Sequence, residues 1–481
     1  MPDDSLQGTG PLETALRDAT ALAFAVRTGE ASAESVLAEA RSRADAAPAL
    51  CAFIQEDWDG AALAAREVDR RRDRGKDVGP LAGVPLSVKD VIAVAGLQVT
   101  GGSAAYAGNI ASFTATAVRR LQEAGAVVIG KTNCPEFAFG AVTESAVGGR
   151  TLNPRFPGAT AGGSSGGEAA AVAAGISALG LGTDYGGSLR WPAQCVGITA
   201  LRPTPRSVPD LGIVPGAGGW YGGGKPSPPG ARLQAATQVI GPLARSVRDL
   251  RTALAVFTDR RPGVRTSLAG IVPGNVAVAW SDGSALGPVR REVSEKIALL
   301  AVQIAPEVRT LTHVPDLFAG SLTAYNRLRP VDPMIDHAAA VAGHEHLILP
   351  ANLDVIQRSM QTDAGELEAA VAESEQARRR ELAVFDTADI VLLPVAGGPA
   401  CDVSGKLDID GQSIFGWDIM GQCRAVTMVG APVVSLPVAF SSEGLPLSVQ
   451  VVARPGADAL ALDFAEWLEG FTRLNLPVSR Q

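Results

Sequence analysis

Hydrophobic and polar positions along the chain follow two patterns, a helical spacing and the short apolar or alternating runs of strands. Together they predict helices interleaved with strands. Leu12, Leu16, Ala19, Ala23 and Val26 recur at helical spacing, so the pattern predicts helix over 12–45. Further helices are predicted at 61–76, 114–125, 288–302, 365–386 and 458–471. From 168 a helix of small residues is predicted, then a short strand that ends near Thr183, and 236–257 is predicted as a strand or turn followed by a helix. Short apolar or alternating runs between turn residues predict strands at 84–88, 126–133, 388–396, 431–440 and 445–454. This order favours an α/β fold with a mixed or parallel sheet.

The composition predicts a large hydrophobic core, and no segment of the sequence looks like a linker between domains. The chain has 481 residues, of which 46% are hydrophobic and 19% charged, which excludes a disordered protein. We therefore expect a single domain over 1–481. Its parts are a helical N-terminal segment (about 12–76), a core (about 78–260) and a C-terminal part that completes the sheet (about 261–475).

Charge and cysteine usage exclude several classes of partner. The net charge of −8 gives no basic footprint, so no nucleic-acid partner is expected. The most apolar window, 169–182, is about 14 residues long and too short for a bilayer. Five scattered cysteines predict neither disulfides nor a zinc site. Together these features predict a cytoplasmic monomer or homodimer with no membrane partner and no cofactor.

One glycine-rich stretch, GGSSGGEAAAVAAG at 162–175, raises several readings. It is not a phosphate loop, because no lysine follows Gly167. It contains a literal GxSxG, but loop residues rather than a strand precede it, and three of the four histidines crowd into 337–346. GHEH at 343–346 also lacks a third ligand for a metal, so no metal site is predicted.

Two other features complete the residue types of a hydrolase that needs no histidine. Lys89 ends an apolar strand, and Ser188 follows a glycine pair 24 residues after Ser164. Taken singly, neither feature indicates catalysis. A lysine at the end of a strand is usually exposed to solvent, and a Gly-Gly-Ser sequence usually forms an ordinary turn. Together they supply a base, a relay hydroxyl and a nucleophile. A lysine with its ordinary pKa is neutral in about one molecule in a thousand at neutral pH, so burial or a second cation must lower that pKa.

The motifs around these residues resemble the amidase signature family. The matching blocks run in order along nearly the whole chain: GPLAGVPLSVKD (79–90), GKTNCPEFAFG (130–140), GGSSGGEAAAVAAG (162–175), GLGTDYGGSLRWPA (180–193), GPLARSVRDL (241–250), VLLPVAGGPA (391–400) and GLPLSVQVVARP (444–455). The resemblance implies a large mixed central sheet covered by helices on both faces.

The resemblance also implies roles for individual residues. Lys89 matches the catalytic lysine, Ser164 the bridging serine on a cis peptide bond, and Ser188 the nucleophile. The backbone N–H groups of Tyr185, Gly186, Gly187 and Ser188 match the oxyanion hole, and Asp184 and Arg190 brace that loop. By matched position, the substrate-binding residues are Phe137, Ala138, Gly140 and Tyr185. Weaker candidates are Tyr325, Trp417 and the 214–230 loop, with Trp220 and Tyr221.

The function expected from this resemblance is hydrolysis of a small-molecule carboxylic amide, or of a related carbamate, hydrazide or ester, with water through a seryl acyl-enzyme. One alternative is the glutaminase subunit of a tRNA-dependent amidotransferase. Another is a non-catalytic binding protein on the same scaffold. Trp191, Tyr185 and the missing basic surface favour the free-standing enzyme at this point. The sequence does not identify the substrate.

Overall fold

The computed structural model describes residues 18–215, 232–258 and 271–475. In chain order, its strands are β1 Phe53–Glu56, β2 Pro85–Lys89, β3 Val127–Thr132, β4 Glu144–Ser145, β5 Gly149–Arg150, β6 Leu179–Asp184, β7 Thr199–Arg202, β8 Val239–Ala244, β9 Ala277–Trp280, β10 Thr310–His313, β11 Ile390–Pro394, β12 Lys406–Ile409, β13 Gln412–Phe415, β14 Val433–Phe440 and β15 Pro446–Ala453.

The helices follow most of these strands along the chain. They are α1 Ala19–Thr28, α2 Ala33–Ala46, α3 Trp58–Asp73, α4 Thr116–Glu123, α5 Gly166–Ala173, α6 Arg190–Val196, α7 Arg232–Thr237, α8 Val247–Phe257, α9 Arg291–Ile304, α10 Ala319–Val331, α11 Ile335–Val341, α12 Pro350–Ser359, α13 Ala364–Leu382, α14 Gly421–Val429 and α15 Asp458–Asn475.

One large mixed sheet organises the described residues. Its eleven strands lie in the order β1-β3-β2-β6-β8-β7-β14-β15-β11-β9-β10. Parallel pairing joins β3, β2 and β6, whereas β6 and β8 are antiparallel. β14 and β15 form the antiparallel pair that the sequence predicted at 431–454. The parallel strands β2 and β6 therefore end at the same edge of the sheet, which places Lys89 near the end of β6.

Helices cover both faces of this sheet because alternate strand residues point in opposite directions. Val128 of β3 packs in an apolar cluster with α8 and α15. Its neighbours Val127 and Ile129 pack in a second cluster with α3 and α5. The predicted fold class, α/β with a large mixed sheet covered by helices on both faces, is confirmed. The prediction of a single domain over 1–481 stays a prediction.

Two differences from the predicted elements have local causes. Helix predicted over 12–45 is two helices within the described part of the chain, because Gly29 adopts φ 76° and ends α1. The short elements β9, β10 and α10–α12 were missed altogether. Their sequences are short and lack a sustained period, and β10 is largely exposed.

Candidate active site

Three elements meet where the predicted catalytic residues lie. β2 ends at Lys89, β6 ends at Asp184, and α5 begins at Gly166, directly after the serine pair. The helix packs directly on β6 because this strand presents glycines to it. A Cβ at Gly182 would lie 2.7 Å from Ser165 Oγ, so a larger residue there would push the serine pair away. The close approach brings both serines to the end of Lys89.

Lys89 is fully buried and surrounded by hydroxyl groups. Its Nζ donates to Ser164 Oγ at 2.7 Å, to Ser165 Oγ at 3.0 Å and to Thr183 Oγ1 at 3.0 Å. Burial lowers the pKa of Lys89, and electrostatic interactions with Cys134, Glu168 and Asp184 oppose that shift without reversing it. This direction is the one that a lysine base requires. Ser165 and Thr183 were missed as lysine partners, although both lie inside the matched motifs.

The two neighbouring serines differ in what their hydroxyl protons do. Ser165 Oγ donates to the Thr183 carbonyl at 3.3 Å. Ser164 instead lines the cavity that also holds Ser188, and the peptide bond Gly163–Ser164 is cis. Because Ser165 uses its proton within the protein, Ser164 is the serine of the pair whose hydroxyl can act toward the cavity.

Ser188 lies on a loop that Asp184 holds from beneath. Asp184 accepts from the backbone N–H of Gly187 at 3.0 Å and of Leu189 at 3.1 Å. Burial would raise the pKa of Asp184, but the charges of Arg190 and Arg202 and these hydrogen bonds lower it to about 2. The carboxylate is thus ionised at neutral pH. The Gly187 N–H, one of the four predicted oxyanion donors, is thus already bonded within the protein because it donates to Asp184.

Arg190 fixes the same loop to the rest of the fold. All five of its N–H groups are used: by both Asp184 carboxylate oxygens and by three further acceptors, the Cys423 carbonyl, Gln450 Oε1 and Thr427 Oγ1. Such a fully bonded, fully buried guanidinium is held in one geometry. The loop that carries Ser188 is therefore braced against α14 and β15.

A cavity of about 440 Å³ lies above these groups. Among the described residues it is lined by Phe137, Ala138, Phe139, Gly140, Ala141, Ser164, Thr183, Tyr185, Gly186, Ser188, Gln238, Tyr325, Asn326, Arg329, Pro330, Met334, Asn352, Val355, Phe415 and Trp417. The four residues predicted to bind substrate and the weaker candidates Tyr325 and Trp417 all line it. Trp220 and Tyr221 of the 214–230 loop lie outside the described residues.

Sequence reasoning missed the polar side chains of the far cavity wall. Arg329 comes from α10 and Asn352 from α12, two helices that no motif or clear period announced. In the sequence, each of the two is simply a polar residue in a segment of mixed composition. Such residues are common on any exposed helix and do not indicate a site. Contact with a site so distant in sequence is visible only in three dimensions.

Two residues near the site have structural rather than chemical surroundings. Cys134 is fully buried, and burial raises the pKa of its thiol, so it is not ionised at neutral pH. Trp191 is also fully buried and donates its indole N–H to the Ala141 carbonyl at 2.9 Å. Trp191 therefore packs behind the cavity wall and does not line the cavity.

Neither a metal cluster nor a membrane-spanning helix is found in the described residues. No group of three or more His, Cys, Asp or Glu side chains in residues 18–215, 232–258 and 271–475 is placed to hold a metal ion. Among the helices of these same segments, none has the length and apolar character needed to cross a membrane.

Comparison with known proteins decides the family. The profile of the Amidase family matches residues 35–303 and 338–462, which is most of the chain. The chain belongs to the amidase family. As a member of this family, it is an amidohydrolase that acts on carbon–nitrogen bonds.

Solved structures show the same fold. A protein described as an amidase has a TM-score of 0.83 and 29% identity, covering 95% of this chain and 100% of that one. A 6-aminohexanoate cyclic dimer hydrolase, solved with its substrate, has a TM-score of 0.79 and 27% identity, covering 95% and 97%. The amidase-family fold thus extends over nearly the whole chain.

Curated relatives point to a more specific class. A glutamyl-tRNA(Gln) amidotransferase subunit from Deinococcus deserti is 32% identical over 95% of this chain and 97% of its own length. The protein of the same name from Symbiobacterium thermophilum is 33% identical over 91% and 93%. The name describes one component of an enzyme that acts on glutamyl-tRNA(Gln).

These relatives overturn two predictions made from the sequence. The main expectation of a free-standing enzyme for a small-molecule amide was wrong, and the amidotransferase alternative is the better supported one. The expectation of a monomer or homodimer with no nucleic-acid partner was wrong for the same reason. Trp191 gives no information on the choice of substrate, because its side chain is buried in the core and does not line the cavity. The acidic composition of one chain does not tell whether a different chain of the same assembly binds tRNA.

Proposed function

We propose that this amidase-family protein is the glutamine-hydrolysing subunit of a tRNA-dependent amidotransferase. It releases ammonia from the side-chain carboxamide of glutamine, and a partner subunit binds the tRNA whose acyl group receives that ammonia. The relatives of this name, similar over nearly their whole length, support the assembly. The 2.7 Å contact between the buried Lys89 Nζ and Ser164 Oγ, below the cavity that Ser188 lines, carries the chemistry.

The first step is activation of Ser188 by a neutral Lys89. Two N–H groups of a neutral amine would donate to Ser165 and Thr183, which leaves the lone pair directed at Ser164. Ser164 passes its proton to Lys89 and takes the proton of Ser188 Oγ. The Ser188 oxygen then attacks the carboxamide carbon of glutamine. Burial favours this step because it lowers the pKa of Lys89 and so raises the neutral fraction.

Negative charge then collects on the carbonyl oxygen of the substrate. In this proposal the backbone N–H groups of Tyr185, Gly186 and Ser188 receive that oxygen, while the Gly187 N–H stays with Asp184. Donors fixed before reaction are effective because they need no reorganisation, and loss of one typically costs about 10²–10³ in rate. The Asp184–Arg190 brace keeps the loop in that geometry.

Collapse of the intermediate breaks the carbon–nitrogen bond. Lys89 returns its proton through Ser164 to the leaving nitrogen, so that ammonia departs and a γ-glutamyl ester on Ser188 remains. Water then attacks the ester while Ser164 and Lys89 accept its proton. Ser188 regains a proton as the ester breaks, and glutamate leaves. The proton of the new carboxyl group ends on the released ammonia, so atoms and charge balance over the cycle as glutamine and water giving glutamate and ammonium.

The test is ammonia release from glutamine, measured for the purified chain and for the chain co-expressed with the partner subunits of its source. We expect hydrolysis in the assembled enzyme, and a fall of about 10⁴ or more in kcat for Ser188→Ala. Ser442→Ala, at an exposed loop serine, is the matched control and should keep the wild-type rate. Failure of the chain to release ammonia from glutamine, both alone and with its partners, contradicts the proposal.

A further inference from the structure

Glu168 is a buried acid close to the proposed base, and no step of the proposed reaction uses it. It lies in the first turn of α5, four residues after Ser164, and is fully buried. Neither oxygen of its carboxyl group accepts a hydrogen bond from another described residue. A glutamate in the first turn of a helix often caps it by accepting a backbone N–H. Glu168 does not, so its burial has another cause.

The sheet leaves room for this side chain at a glycine. α5 packs on β6, and a Cβ added at Gly180 would lie 3.0 Å from Glu168 Cβ and 3.2 Å from its Cγ. Gly180 pairs with Ser87 of β2, two residues before Lys89. Ser87 Oγ lies 3.0 Å from Oγ of Ser177, in the segment that follows α5. Because residues two apart in a strand point to the same face, Lys89 lies on the α5 face, as Glu168 does.

Lys89 and Glu168 affect the charge of each other. Burial raises the pKa of Glu168 to about 8, and the charge of Lys89 is the largest effect that opposes this rise. Burial lowers the pKa of Lys89, and an ionised Glu168 opposes that shift in turn. Glu168 is therefore mostly protonated at pH 7 and ionises slightly above it. Two groups that interact in this way titrate as a pair.

The charged groups around this pair have partners of opposite charge. Asp90 follows β2, and its Oδ1 lies 3.6 Å from Nζ of Lys131 on β3. These two groups act on the pKa of Glu168 in opposite directions, each less than Lys89 does. Asp184 ends β6 and pairs with Arg190 of α6 at 2.9 Å. Neither ion pair therefore replaces Glu168 as a variable charge.

The other ionisable groups on the elements that pack against α5 are uncharged or lie at its far end. Cys134 follows β3 and Cys195 lies on α6, and burial raises the pKa of both thiols. Arg245 follows β8 and donates to a backbone carbonyl of the last turn of α5 at 2.9 Å. Among the ionisable groups of these described elements, Glu168 is thus the acid whose charge changes near Lys89 just above neutral pH.

We propose that Glu168 is a positioning residue for amide cleavage that acts through Lys89: its carboxyl group, neutral when protonated and anionic when ionised, sets how readily the buried lysine gives up its proton. The anion favours the ammonium form of Lys89, which has no lone pair to accept the Ser164 proton. Protonated Glu168 leaves the neutral amine available. Glu168 itself takes no proton from the substrate. The proposal rests on the proposed role of Lys89 as base, and not on glutamine as the substrate.

The experiment measures the rate at which a small fluorophosphonate labels Ser188 in the full chain, as a function of pH. Glu168→Gln keeps the shape of the side chain and removes its charge. Because the anion raises the pKa of Lys89, its loss should move the rise of the rate to lower pH. Glu168→Asp keeps the charge and should move the midpoint back toward that of the wild type. A merely structural role would lower the rate at every pH and leave the midpoint unchanged.

Asp249→Asn is the matched control. Asp249 is also a buried acid, but it accepts from the backbone N–H groups of Ala19 and Thr20 at the start of α1 and does not line the cavity. The same change from carboxyl to carboxamide should leave the midpoint where it is in the wild type. A shift as large as that of Glu168→Gln would overturn the proposal, because it would show a general effect of buried charge.

Infrared spectroscopy of the wild type gives a second readout that needs no variant to fold. The carbonyl band of a protonated carboxyl group should be present at neutral pH and disappear as the pH passes through about 8. In folded Glu168→Gln this band should be missing. Absence of a carboxyl band that titrates near this pH overturns the proposal.

The outcomes separate this proposal from the proposed function. A pH-dependent rise that Lys89→Met abolishes and Glu168→Gln leaves in place would keep Lys89 as the base and reject the role of Glu168. A rise that persists in Lys89→Met would reject the base, and the role of Glu168 with it. A shifted midpoint in Glu168→Gln, without release of ammonia from glutamine by the assembled enzyme, would keep the role of Glu168 and reject the glutaminase.

Discussion

The floor and the far wall of the cavity are built in opposite ways. The floor holds Lys89, Ser164 and Thr183 at the ends of β2, α5 and β6, all fully or almost fully buried. The wall holds Arg329 and Asn352 on α10 and α12, which are partly exposed. The polar groups of the floor are hydrogen-bonded within the protein, whereas polar groups of the wall remain available to a ligand. This contrast separates reaction chemistry from substrate recognition.

The contrast predicts two kinds of variant. Changes in the floor should lower kcat for every amide, because they alter the step that all substrates share. Changes in the wall should act mainly on KM and should depend on the substrate. Variants of floor and wall residues can test this division between kcat and KM effects. The largest loss of activity is expected for a floor residue.

Lys89→Met should cost about 10³–10⁴ in kcat/KM for amides, in the upper range for a lost general base. In the wild type, activity needs neutral Lys89, so kcat/KM should rise with pH through its pKa. Because burial lowers that pKa from 10.5, the rise should lie below pH 10.5. The variant should lose that rise. A pH–rate profile settles this, and an unchanged profile in Lys89→Met would exclude lysine as the base.

Ser164→Ala and Ser165→Ala form a matched pair one residue apart. Both serines accept from Lys89, but only Ser164 lines the cavity. We expect a loss of about 10² or more in kcat for Ser164→Ala and about tenfold or less for Ser165→Ala. Single-turnover kinetics with thermal unfolding as the fold control would check this. Equal losses would mean that the relay does not run through Ser164 alone.

Tyr325→Phe should have the smallest effect. The Tyr325 hydroxyl is buried without a hydrogen-bond partner among the described residues, and an unpaired buried polar group costs about 1–3 kcal/mol. The variant should therefore be at least as stable as the wild type, with kcat within about threefold. Chemical denaturation and steady-state kinetics provide the two readouts. A large fall in kcat would mean that this wall residue takes part in the reaction, which would contradict the division between floor and wall.

The same contrast explains what the sequence could predict. Lys89, Ser164 and Ser188 lie in contiguous motifs, because a tight turn and a close helix–strand packing demand particular neighbours along the chain. The main strands followed from their apolar runs in the same way. Arg329 and Asn352 could not be predicted, because their role depends on how two short helices lie over a sheet that is distant in sequence. Thr183 was missed since a threonine at a strand end is usually structural.

The proposed assembly could not be predicted from composition either. Net charge describes the surface of this chain, not that of a partner subunit. The burial of Trp191 shows how a conspicuous residue beside a motif can be read as a sign of substrate choice when it only fills the core. Relatives over the full length were needed to correct that reading.

The most direct test of the proposed chemistry is covalent labelling with a fluorophosphonate, located by peptide mass spectrometry. We predict one phosphonate adduct per chain on Ser188, absent in Ser188→Ala and formed much more slowly in Lys89→Met. An adduct on Ser164 or Ser165, or labelling of Ser188 at an undiminished rate without Lys89, would contradict the assignment of nucleophile and base.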